Sequence, residues 1–352
     1  MDFITMNNRF WKGDGGNMTI KDIAQLSGCG VATVSRVLNN HPDVSDETRR
    51  KVMAVVEEHG FQPNNNAKHL KQQTGNSIVI LVKGTMNMLF ADLVEKIQAL
   101  LRDAGQDVAV YYLDEDANEV SYALQLNRER RPRGFIFLGG DPELFRKDFA
   151  QITVPCVLLT NSARELGFNN LSSFTTDDSQ AAAQVIQLLA GHGHRHIGLV
   201  GGNWSGAQIS YNRLAGCRDA CARLGIPFDT DRQCEPCRYS MPDAYDATKK
   251  LLERCPDLTA IFALSDVMAL GAIRALRDMG KRVPEDISVV GYDGIVIGQY
   301  SLPRLTTIQQ DTQQLAERGV ETLLRGIIFN GRPVHGMIPF QLIQGESVAR
   351  LS

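Results

Sequence analysis

Four residues of one short segment have the types and spacing that are needed to read a DNA sequence. Ala32, Ser35, Arg36 and Asn39 recur at helical intervals, so they share one face of a helix. An arginine on such a face can donate two hydrogen bonds to the O6 and N7 atoms of guanine in the major groove. The pattern predicts a DNA-contacting face, with Arg36 as its strongest candidate for reading a base.

Two short helical patterns position this face. Within residues 19–39 they lie on either side of Gly28-Cys29-Gly30, which supplies a tight connection. Thr19 is the expected N-cap of the first helix. The second helix is apolar on the side opposite to Arg36, as a helix-turn-helix requires. The residues expected to pack between the two helices are Ile20, Ile23, Ala24, Val34, Val37 and Leu38.

A third amphipathic helix is expected to begin at Ser45 and to stop at Gly60. The Ser45 hydroxyl can cap it, and Asp46 and Glu47 suit the positive end of its dipole. Alternatively, the two glycines merely separate core helices of a larger domain, but a buried helix would not present a polar face. The residues expected to close a three-helix core are Val52, Val55 and Val56.

Four stretches within residues 19–70 carry a family resemblance. They are Ile20-Lys21-Asp22-Ile23-Ala24, Ala32-Thr33-Val34-Ser35-Arg36-Val37-Leu38-Asn39, Val44-Ser45 and Pro63-Asn64. In these positions the chain resembles the headpiece of the lactose repressor/galactose repressor (LacI/GalR) family of bacterial transcription regulators. The resemblance implies that Val31, Ala32 and Arg36 lie in the major groove. It also implies a set of residues near phosphates, namely Thr19, Thr33, Ser35 and Asn39.

One position of the second helix departs from the family's pattern. Gly30 stands where the family usually has serine, so this helix lacks a side-chain cap. We therefore expect its first turn to be more mobile or to be capped in another way.

Residues 64–71 form a helical pattern of only two turns. Isolated helices below about 12–15 residues are marginal in water, so this one should need a partner to hold it. The resemblance implies a hinge helix that orders against its twin over the minor groove, with Leu70 inserted between base pairs and Lys68 facing phosphates. A plain solvated linker, continued by the polar residues 72–76, is the alternative.

Length and composition agree with several folded domains. A chain of 352 residues with 43% hydrophobic residues has room for about two or three domains. No run approaches the ~20 apolar residues that span a bilayer, and residues 1–17 lack the apolar stretch of a signal peptide. We expect a cytoplasmic protein without a membrane partner. We interpret residues 1–17 as a flexible extension, or as the product of an upstream start if Met18 is the functional one.

The net charge of −3 offers DNA no general attraction. Residues 18–73 carry seven Lys/Arg and six Asp/Glu, so the region expected to contact DNA is itself nearly neutral. Affinity for DNA must therefore come from individually placed cations and helix ends, and non-specific binding should be weak and sensitive to salt.

Seven cysteines indicate reduced thiols and not a disulfide framework. Cys234 and Cys237 have a spacing suited to metal or redox chemistry, but one such pair alone is weak evidence. His192, His194 and His196 alternate with glycines, and a helix end that turns into a strand explains them better than a metal does. We therefore expect neither a metal nor another cofactor.

From residue 77 onward, short apolar runs alternate with amphipathic patterns, which is typical of doubly wound α/β units with parallel sheets. The first series predicts strands at 77–82, 108–112, 135–138 and 157–159, and helices at 90–104, 117–130 and 142–152. The second predicts strands at 197–200, 260–263 and 288–292, and helices at 179–189, 213–224, 244–252 and 267–279. Ligands of such sheets bind beyond the carboxyl ends of the strands, so a pocket is expected between the two units.

Five further motifs extend the resemblance over the rest of the chain. They are the runs 193–197, 213–216, 265–271, 283–293 and 303–307. These look like the family's effector-binding core, which is similar in fold to periplasmic sugar-binding proteins. The resemblance implies chain crossings near Phe174, Ile308 and Gly336, and a helix at 313–329 that returns to the first unit.

By matched position, the resemblance implies an effector site formed by Phe90, Thr160, Arg213, Ser265 and Asp293. Arg213 and Asp293 together suit hydroxyl groups, because one donates hydrogen bonds and the other accepts them. The expected effector is a sugar or a sugar phosphate. The alternative is that Arg213 and Asp293 only pair with each other across a closed interface.

The resemblance implies a sequence-specific transcription regulator, and we expect a repressor that binds a palindromic operator as a homodimer under effector control. The expected organisation is a headpiece at 18–62, a hinge at 63–76 and an effector-binding domain at 77–352. Its first subdomain takes 77–174 and 309–335, and its second takes 175–308 and 336–352.

Two other classes of protein fit the sequence less well. A transport-type sugar-binding protein would share the paired units, but it should have an export signal and no headpiece. A nucleotide-dependent enzyme would need the G-x-G-x-x-G order, which the glycine-rich residues 201–206 lack. Because no catalytic arrangement can be argued from spacing, we expect that the chain is not an enzyme.

Overall fold

The structure is a computed structural model that describes residues 20–38, 44–58, 77–84, 87–202 and 209–351. The chain divides into a small unit, residues 1–72, and a large unit, residues 73–352. No helix in the described ranges is long and apolar enough to cross a membrane.

The small unit contains three helices around one core: α1 (Ile20–Ser27), α2 (Val31–Leu38) and α3 (Asp46–Glu58). Gly28 turns the chain between α1 and α2 with a φ of 62°, a conformation that favours glycine. At the start of α3, Ser45 Oγ accepts a hydrogen bond from the Thr48 backbone N–H at 3.4 Å. The predicted helix-turn-helix is confirmed. Its buried core consists of Ile23, Ala24, Val34, Val37, Val52 and Val56, with Leu38 and Val55 partly buried against it.

The first subdomain of the large unit is a six-stranded sheet with helices on both faces. Its strands are β1 (Ile78–Lys83), β2 (Val108–Leu113), β3 (Gly134–Leu138), β4 (Cys156–Leu159), β5 (Leu171–Thr176) and β11 (His335–Ile338). They lie in the order β11-β5-β4-β3-β1-β2, and all are parallel. The helices packed on it are α4 (Met88–Asp103), α5 (Glu119–Arg130), α6 (Pro142–Asp148) and α13 (Thr312–Phe329).

The second subdomain repeats this architecture. Its strands are β6 (Ile197–Val200), β7 (Cys234–Glu235), β8 (Ala260–Ala263), β9 (Ser288–Asp293), β10 (Thr306–Gln310) and β12 (Phe340–Ile343). Their order is β12-β10-β9-β8-β6-β7, and only β12 runs antiparallel to its neighbour among the described strands. Its helices are α7 (Asp178–Gly191), α8 (Ile209–Arg223), α9 (Thr230–Gln233), α10 (Met241–Arg254), α11 (Asp266–Asp278) and α12 (Val296–Gln299). The predicted pair of doubly wound units is confirmed.

The chain passes between the two sheets three times. Sequence analysis placed these crossings near Phe174, Ile308 and Gly336, and each crossing in the structure lies close to the named residue. Each strand that leads into a crossing continues for two more residues, so the crossings follow the strand ends Thr176, Gln310 and Ile338. The continuation of β11 places 336–338 in the first subdomain's sheet, paired with the end of β5.

Two glycines of the predicted motifs bring helices of the second subdomain into close contact. A Cβ on Gly216 of α8 would lie 2.1 Å from the carbonyl oxygen of Ser179 on α7. A Cβ on Gly271 of α11 would lie 2.3 Å from the carbonyl oxygen of Met241 on α10. Backbone atoms cannot move aside as the end of a flexible side chain can, so both positions require glycine for packing.

Gly216→Ala is expected to lower the free energy of unfolding by about 1–3 kcal/mol, the usual cost of overpacking. Urea unfolding followed by circular dichroism measures the change. Gly191→Ala is the matched control, because nothing lies within 4 Å of a Cβ at that end of α7. The control should be neutral or stabilising by about 0.5–1 kcal/mol. Equal midpoints for the two variants would contradict the packing argument.

Candidate functional site

The α2 helix exposes two of the residues that sequence analysis assigned to DNA. Arg36 is exposed, Val31 is exposed and Thr33 is half-buried, whereas Val34 and Val37 on the opposite face are buried. The sequence therefore separates a packed face from a solvent-facing one along a single helix. Such a division leaves the second helix of a helix-turn-helix free to enter a groove.

Gly30 precedes α2 without a side chain to cap it. Its carbonyl oxygen accepts hydrogen bonds from the backbone N–H groups of Thr33 at 2.9 Å and Val34 at 3.0 Å. A Cβ at this position would meet only Thr33 Oγ1, at 3.8 Å. The departure from the family's serine is therefore not forced by crowding.

The remaining predicted DNA contacts are only partly within the described structure. Ala32 and Ser35 belong to α2, although the structure describes only their backbone. The other four positions lie outside the described residues, so they stay predictions: Thr19, Asn39, Lys68 and Leu70.

A cavity of about 420 Å³ lies between the two sheets of the large unit. Lys83 ends β1 and Thr160 follows β4 on one side, while Asp293 ends β9 and Gln310 ends β10 on the other. The carboxyl ends of parallel strands from both sheets therefore meet at this cavity, which is where doubly wound folds bind ligands.

Four of the five predicted effector residues line this cavity: Phe90, Thr160, Arg213 and Asp293. Ser265, the fifth, does not. It is fully buried at the start of α11, where its Oγ accepts a hydrogen bond from the Met268 backbone N–H at 3.2 Å. The prediction for Ser265 is therefore corrected: this serine caps a helix, and its short side chain is used within the helix turn.

Arg213 is held by a buried network from several elements of the second subdomain. Its Nε donates to Asp178 Oδ1 at 2.8 Å, and its Nη1 donates to the Leu264 carbonyl. Its guanidinium carbon lies 3.5 Å from the centre of the Tyr292 ring, and the Tyr292 hydroxyl donates to the same Asp178 oxygen at 2.8 Å. Burial is the largest single influence on Arg213 and disfavours its charge, but Asp178 together with Tyr292, Tyr239 and Asp293 outweighs burial and raises the pKa of the guanidinium above its usual range.

The ion-pair partner of Arg213 is thus Asp178 and not Asp293, contrary to the alternative considered from sequence. Asp178 is the first residue of α7, immediately after a crossing. Sequence reasoning missed it, and the signal that could have found it is its place at a helix start beyond a strand end.

Asp293 presents a buried carboxyl group to the cavity from a strained backbone, with a φ of 111°. Gln310 Nε2 donates to its Oδ1 at 2.8 Å, and the Thr176 hydroxyl donates to Gln310 Oε1 at 2.9 Å. Burial raises the pKa of Asp293 to about 7, although the nearby Arg213 opposes the rise. This hydrogen-bond chain joins the cavity to the last residues of two strands that cross between the subdomains.

Thr160 contributes a polar atom that the protein itself does not satisfy. Its Oγ1 is buried and has no hydrogen-bond partner among the residues that the structure describes. Its backbone has a φ of 71°, so the side chain is held in an unusual direction. A buried hydroxyl without a partner costs about 1–3 kcal/mol, which a ligand hydroxyl would recover.

The outer part of the cavity is bounded by a cluster of charges that joins the two subdomains. Arg238, after β7, lies 2.8 Å from Asp114 Oδ1, 3.6 Å from Glu115 Oε2 and 3.6 Å from Asp116 Oδ2, all after β2. The Tyr239 backbone N–H also donates to Glu115 Oε2 at 3.2 Å. These contacts tie one subdomain to the other across the cleft.

The cysteine and histidine patterns have separate structural partners. Cys237 Sγ lies 3.7 Å from Met268 Sδ, and burial raises the pKa of Cys234 and Cys237 to about 12. His194 is buried against Thr259 and the Ala349 carbonyl, whereas His196 pairs with Asp257 at 2.9 Å. Within the described ranges, no three His, Cys, Asp or Glu residues are grouped so that they could hold a metal.

Two family models match the chain. Residues 19–64 match bacterial regulatory proteins of the lacI family, and residues 186–348 match a periplasmic binding protein-like domain. The HTH-type transcriptional regulator MalR of Clostridium butyricum is 37% identical over 334 residues, which are 94% of this chain and 99% of that protein.

Solved structures resemble the chain over nearly its whole length. A complex of the transcriptional regulator CelR with cellobiose is 28% identical, with a TM-score of 0.67 and coverage of 94% of this chain and 99% of that one. The lac repressor dimer bound to operator and the anti-inducer ONPF is 27% identical, with a TM-score of 0.67 and coverage of 95% and 100%. The chain therefore belongs to the lacI family of bacterial transcription regulators, and it is not an enzyme.

Proposed function

We propose that this protein represses transcription by binding a palindromic operator as a homodimer, and that a small effector in the cleft controls that binding. One observation carries the proposal: a solvent-facing Arg36 on α2 belongs to the same chain as a cavity lined by Arg213 and Asp293. Because chromosomal DNA is the proposed partner, we assign the protein to the bacterial cytoplasm.

In the proposed complex, α2 lies in the major groove with Val31, Ala32 and Arg36 at the base edges. Arg36 donates two hydrogen bonds to one guanine, which provides discrimination between bases. Contacts to phosphates fix the register without reading the sequence. The residues proposed for phosphates are Thr19, Thr33, Ser35 and Asn39.

Two residues outside the described structure are proposed to act in the minor groove. Leu70 of the hinge segment inserts between base pairs and bends the duplex, and Lys68 faces phosphates. Because the segment is too short to be a stable helix alone, its ordering depends on DNA and on a second copy of the chain.

An exposed apolar patch on the second subdomain supports the dimer. Val296 and Tyr300 are 72% and 83% exposed at α12, and Leu302 is 79% exposed in the turn that follows. Side chains of this kind grouped on a surface indicate a protein contact. We propose a second copy of this chain as the partner, since a palindromic operator requires twofold symmetry. The similar lac repressor structure is a dimer on its operator.

The proposed effector lies in the cleft against Phe90, Thr160, Arg213 and Asp293. A sugar suits these residues, since its hydroxyl groups can both donate and accept. The similar regulator CelR has cellobiose bound, which supports the same class of ligand here.

The route of control proceeds from the cleft through the crossings. Arg213 bonds Asp178 after one crossing, and Asp293 bonds Gln310 at the start of another. An effector that binds one arrangement of the subdomains more tightly shifts their equilibrium, and the hinge pairing with it. The network is the physical connection that such a shift requires.

Arg36→Ala tests the proposed reading of DNA. A selection from random oligonucleotides first defines the site that the purified protein prefers. The variant is expected to lose about 1–3 kcal/mol of its preference for that site over scrambled DNA, because it loses a bidentate contact to guanine. Competition binding assays measure the preference.

The matched control is Arg50→Ala, which removes an equal charge from an exposed position on α3. It should weaken binding to all DNA alike and leave the preference unchanged. An unaltered preference in the Arg36 variant would count against the proposed role of α2.

A further inference from the structure

The cavity has cations in its wall, but each of them is already paired. Lys83, Arg213 and Arg238 are the Lys and Arg residues among the described residues that line it. Free cations would favour a phosphorylated ligand, because guanidinium and ammonium groups bind phosphate well. The partners of these three side chains therefore bear on the class of effector.

The charge of Lys83 is neutralised by Glu119, which does not itself line the cavity. Its Nζ lies 2.8 Å from Glu119 Oε2, with the two side chains only 10% and 1% exposed. The other Glu119 oxygen accepts a hydrogen bond from the Asp141 backbone N–H at 2.5 Å. This carboxylate is thus fixed at both oxygens and holds the ammonium group in place.

The two arginines are occupied in the same way. Arg213 pairs with Asp178, and Arg238 lies among Asp114, Glu115 and Asp116. An anion entering the cavity would have to compete with a carboxylate at each cation.

Carboxyl groups outnumber cations in the cavity wall. Five of them line it, and only three cations do; the five are Asp114, Glu115, Asp141, Asp243 and Asp293. Like charges that are partly removed from water repel more strongly than they do in bulk solvent. The wall therefore disfavours a phosphate or carboxylate group on the ligand.

At three helix N-termini in the wall, a side chain already accepts a hydrogen bond from a backbone N–H group that could bind an anion. Asn87 caps α4 by accepting from Leu89 N–H at 3.0 Å, and Asp141 caps α6 by accepting from Glu143 N–H at 3.0 Å. Ser240 caps α10 by accepting from the Asp243 backbone N–H at 3.1 Å. Each cap takes up one of the backbone donors that would bind phosphate at a bare helix end.

Two polar groups of the wall are, in contrast, suited to hydroxyls. Thr160 Oγ1 is buried without a partner among the described residues, and the Asp293 carboxyl has one oxygen bonded to Gln310. Phe90 supplies an apolar surface for the carbon side of a sugar ring. We infer that the effector is a neutral polyol and that phosphorylated sugars are excluded. This inference rests on the proposed function, because it takes the cavity as the effector site.

A paired panel of ligands tests the inference on the full-length protein. The panel consists of ribose, glucose, maltose and cellobiose, each with its phosphate ester, together with inorganic phosphate. Titration calorimetry and the effect on operator binding are measured for each. We expect at least one neutral sugar to bind and its ester to bind about 100-fold more weakly or not at all. Inorganic phosphate should not bind.

Two results would overturn the inference: an ester that binds as tightly as its parent sugar, or no binding by any neutral member. The operator assay separates these from failure of the proposed function. If an ester alters operator affinity, effector control stands and only the neutral class is wrong. If the protein binds an operator that no ligand affects, the proposed control itself fails.

Glu119→Gln is expected to increase the affinity of the cavity for anions. The amide can still accept from Asp141 N–H, but it leaves the Lys83 charge unpaired at the cavity. Affinity for inorganic phosphate or a sugar phosphate should rise by about tenfold or more. Glu321→Gln on α13 is the control, since it removes an equal charge beside exposed Arg325. A folded Glu119 variant without this gain would show that pairing does not exclude anions.

A second variant changes carboxylates that are more exposed than Glu119. Asp114→Asn combined with Glu115→Gln leaves Arg238 with Asp116 alone, at a partly exposed site. The same gain in affinity for anions is expected, and its absence in this variant as well would contradict the inference.

Discussion

Arg213→Met is expected to lower the free energy of unfolding of the large unit by about 3–5 kcal/mol. The change removes one partner of a buried ion pair and strands the Asp178 carboxylate, which is almost fully buried. It also takes a donor from the Leu264 carbonyl and the cation from the Tyr292 ring. Methionine fills much of the same volume, so the loss reports the charge and not a cavity. Urea unfolding at pH 7 measures it.

Because the Arg213–Asp178 pair is buried, two control variants can be chosen. Adding Asp178→Asn should recover part of the lost stability, because the second change removes the stranded charge. Arg274→Met, which breaks an exposed pair with Asp278 on α11, should cost only about 0–1 kcal/mol. A loss below about 1 kcal/mol for Arg213→Met would mean that the buried carboxylate is satisfied without it.

In this network a single guanidinium group gives Arg213 two roles. It lines the cavity, and it also binds Asp178 at the start of the helix that follows the first crossing. A ligand that draws on the same guanidinium therefore acts on the connection between the subdomains. Stability and effector response are expected to change together in Arg213 variants.

The apolar strands could be predicted from sequence because burial on both faces leaves a continuous hydrophobic run. The strands 197–200 and 260–263 were predicted with the bounds that the structure has. The long helices of the large unit were predicted within a few residues of their ends, since each has an apolar face, whereas the short helices α9 and α12 were not predicted. In these elements the local hydrophobic pattern and the tertiary packing favour the same secondary structure.

Strands with polar sequences were missed for a physical reason. β5 reads Leu-Ser-Ser-Phe-Thr-Thr and is buried at every position, which its composition does not suggest. Its hydroxyls are satisfied by distant groups: Ser173 Oγ accepts from the Ala163 backbone N–H at 2.9 Å, and Thr176 donates to Gln310. β10 is similar, since Thr307 donates to buried Asp266 at 2.6 Å. The periodicity of a segment carries no information about hydrogen-bond partners that lie far away in the sequence.

Sequence analysis of the cavity was limited in the same way, because it could not find partners that are distant in sequence. The matched positions found four of the residues at the cavity, but not the carboxylates that neutralise its cations. Arg213 and Asp178 are 35 residues apart, Lys83 and Glu119 are 36 apart, and Arg238 and Asp114 are 124 apart. Only the fold brings these pairs together. The charge of the cavity, and hence the class of ligand it accepts, was not available from sequence.

Asp293→Asn is expected to stabilise the protein at neutral and alkaline pH. Burial raises the pKa of this carboxyl from 3.8 to about 7, so the folded state holds a proton that the unfolded state has lost. The stability contributed by that proton is full below about pH 4 and is lost as the pH rises through 7. The asparagine can still accept from Gln310 and carries no such dependence. The variant's advantage should therefore widen by about 3 kcal/mol between pH 5 and pH 8, because the slope of 1.36 kcal/mol per pH unit holds only up to the pKa of about 7 and then levels off.

Urea unfolding of the variant and of the parent at several pH values measures this difference. Arg213 and Asp178, whose charges also act on position 293, are the same in both proteins. Asp286→Asn provides a control of opposite sign. Hydrogen bonds from Arg282 lower the pKa of Asp286 to about 2, so its contribution is present above its unfolded pKa and is lost as the pH falls. That variant should be slightly less stable than the parent at neutral pH, with the gap closing in acid. Parallel stability curves for Asp293→Asn and the parent would show that the carboxyl is ionised at no cost, and its burial in the cavity would then need a different explanation.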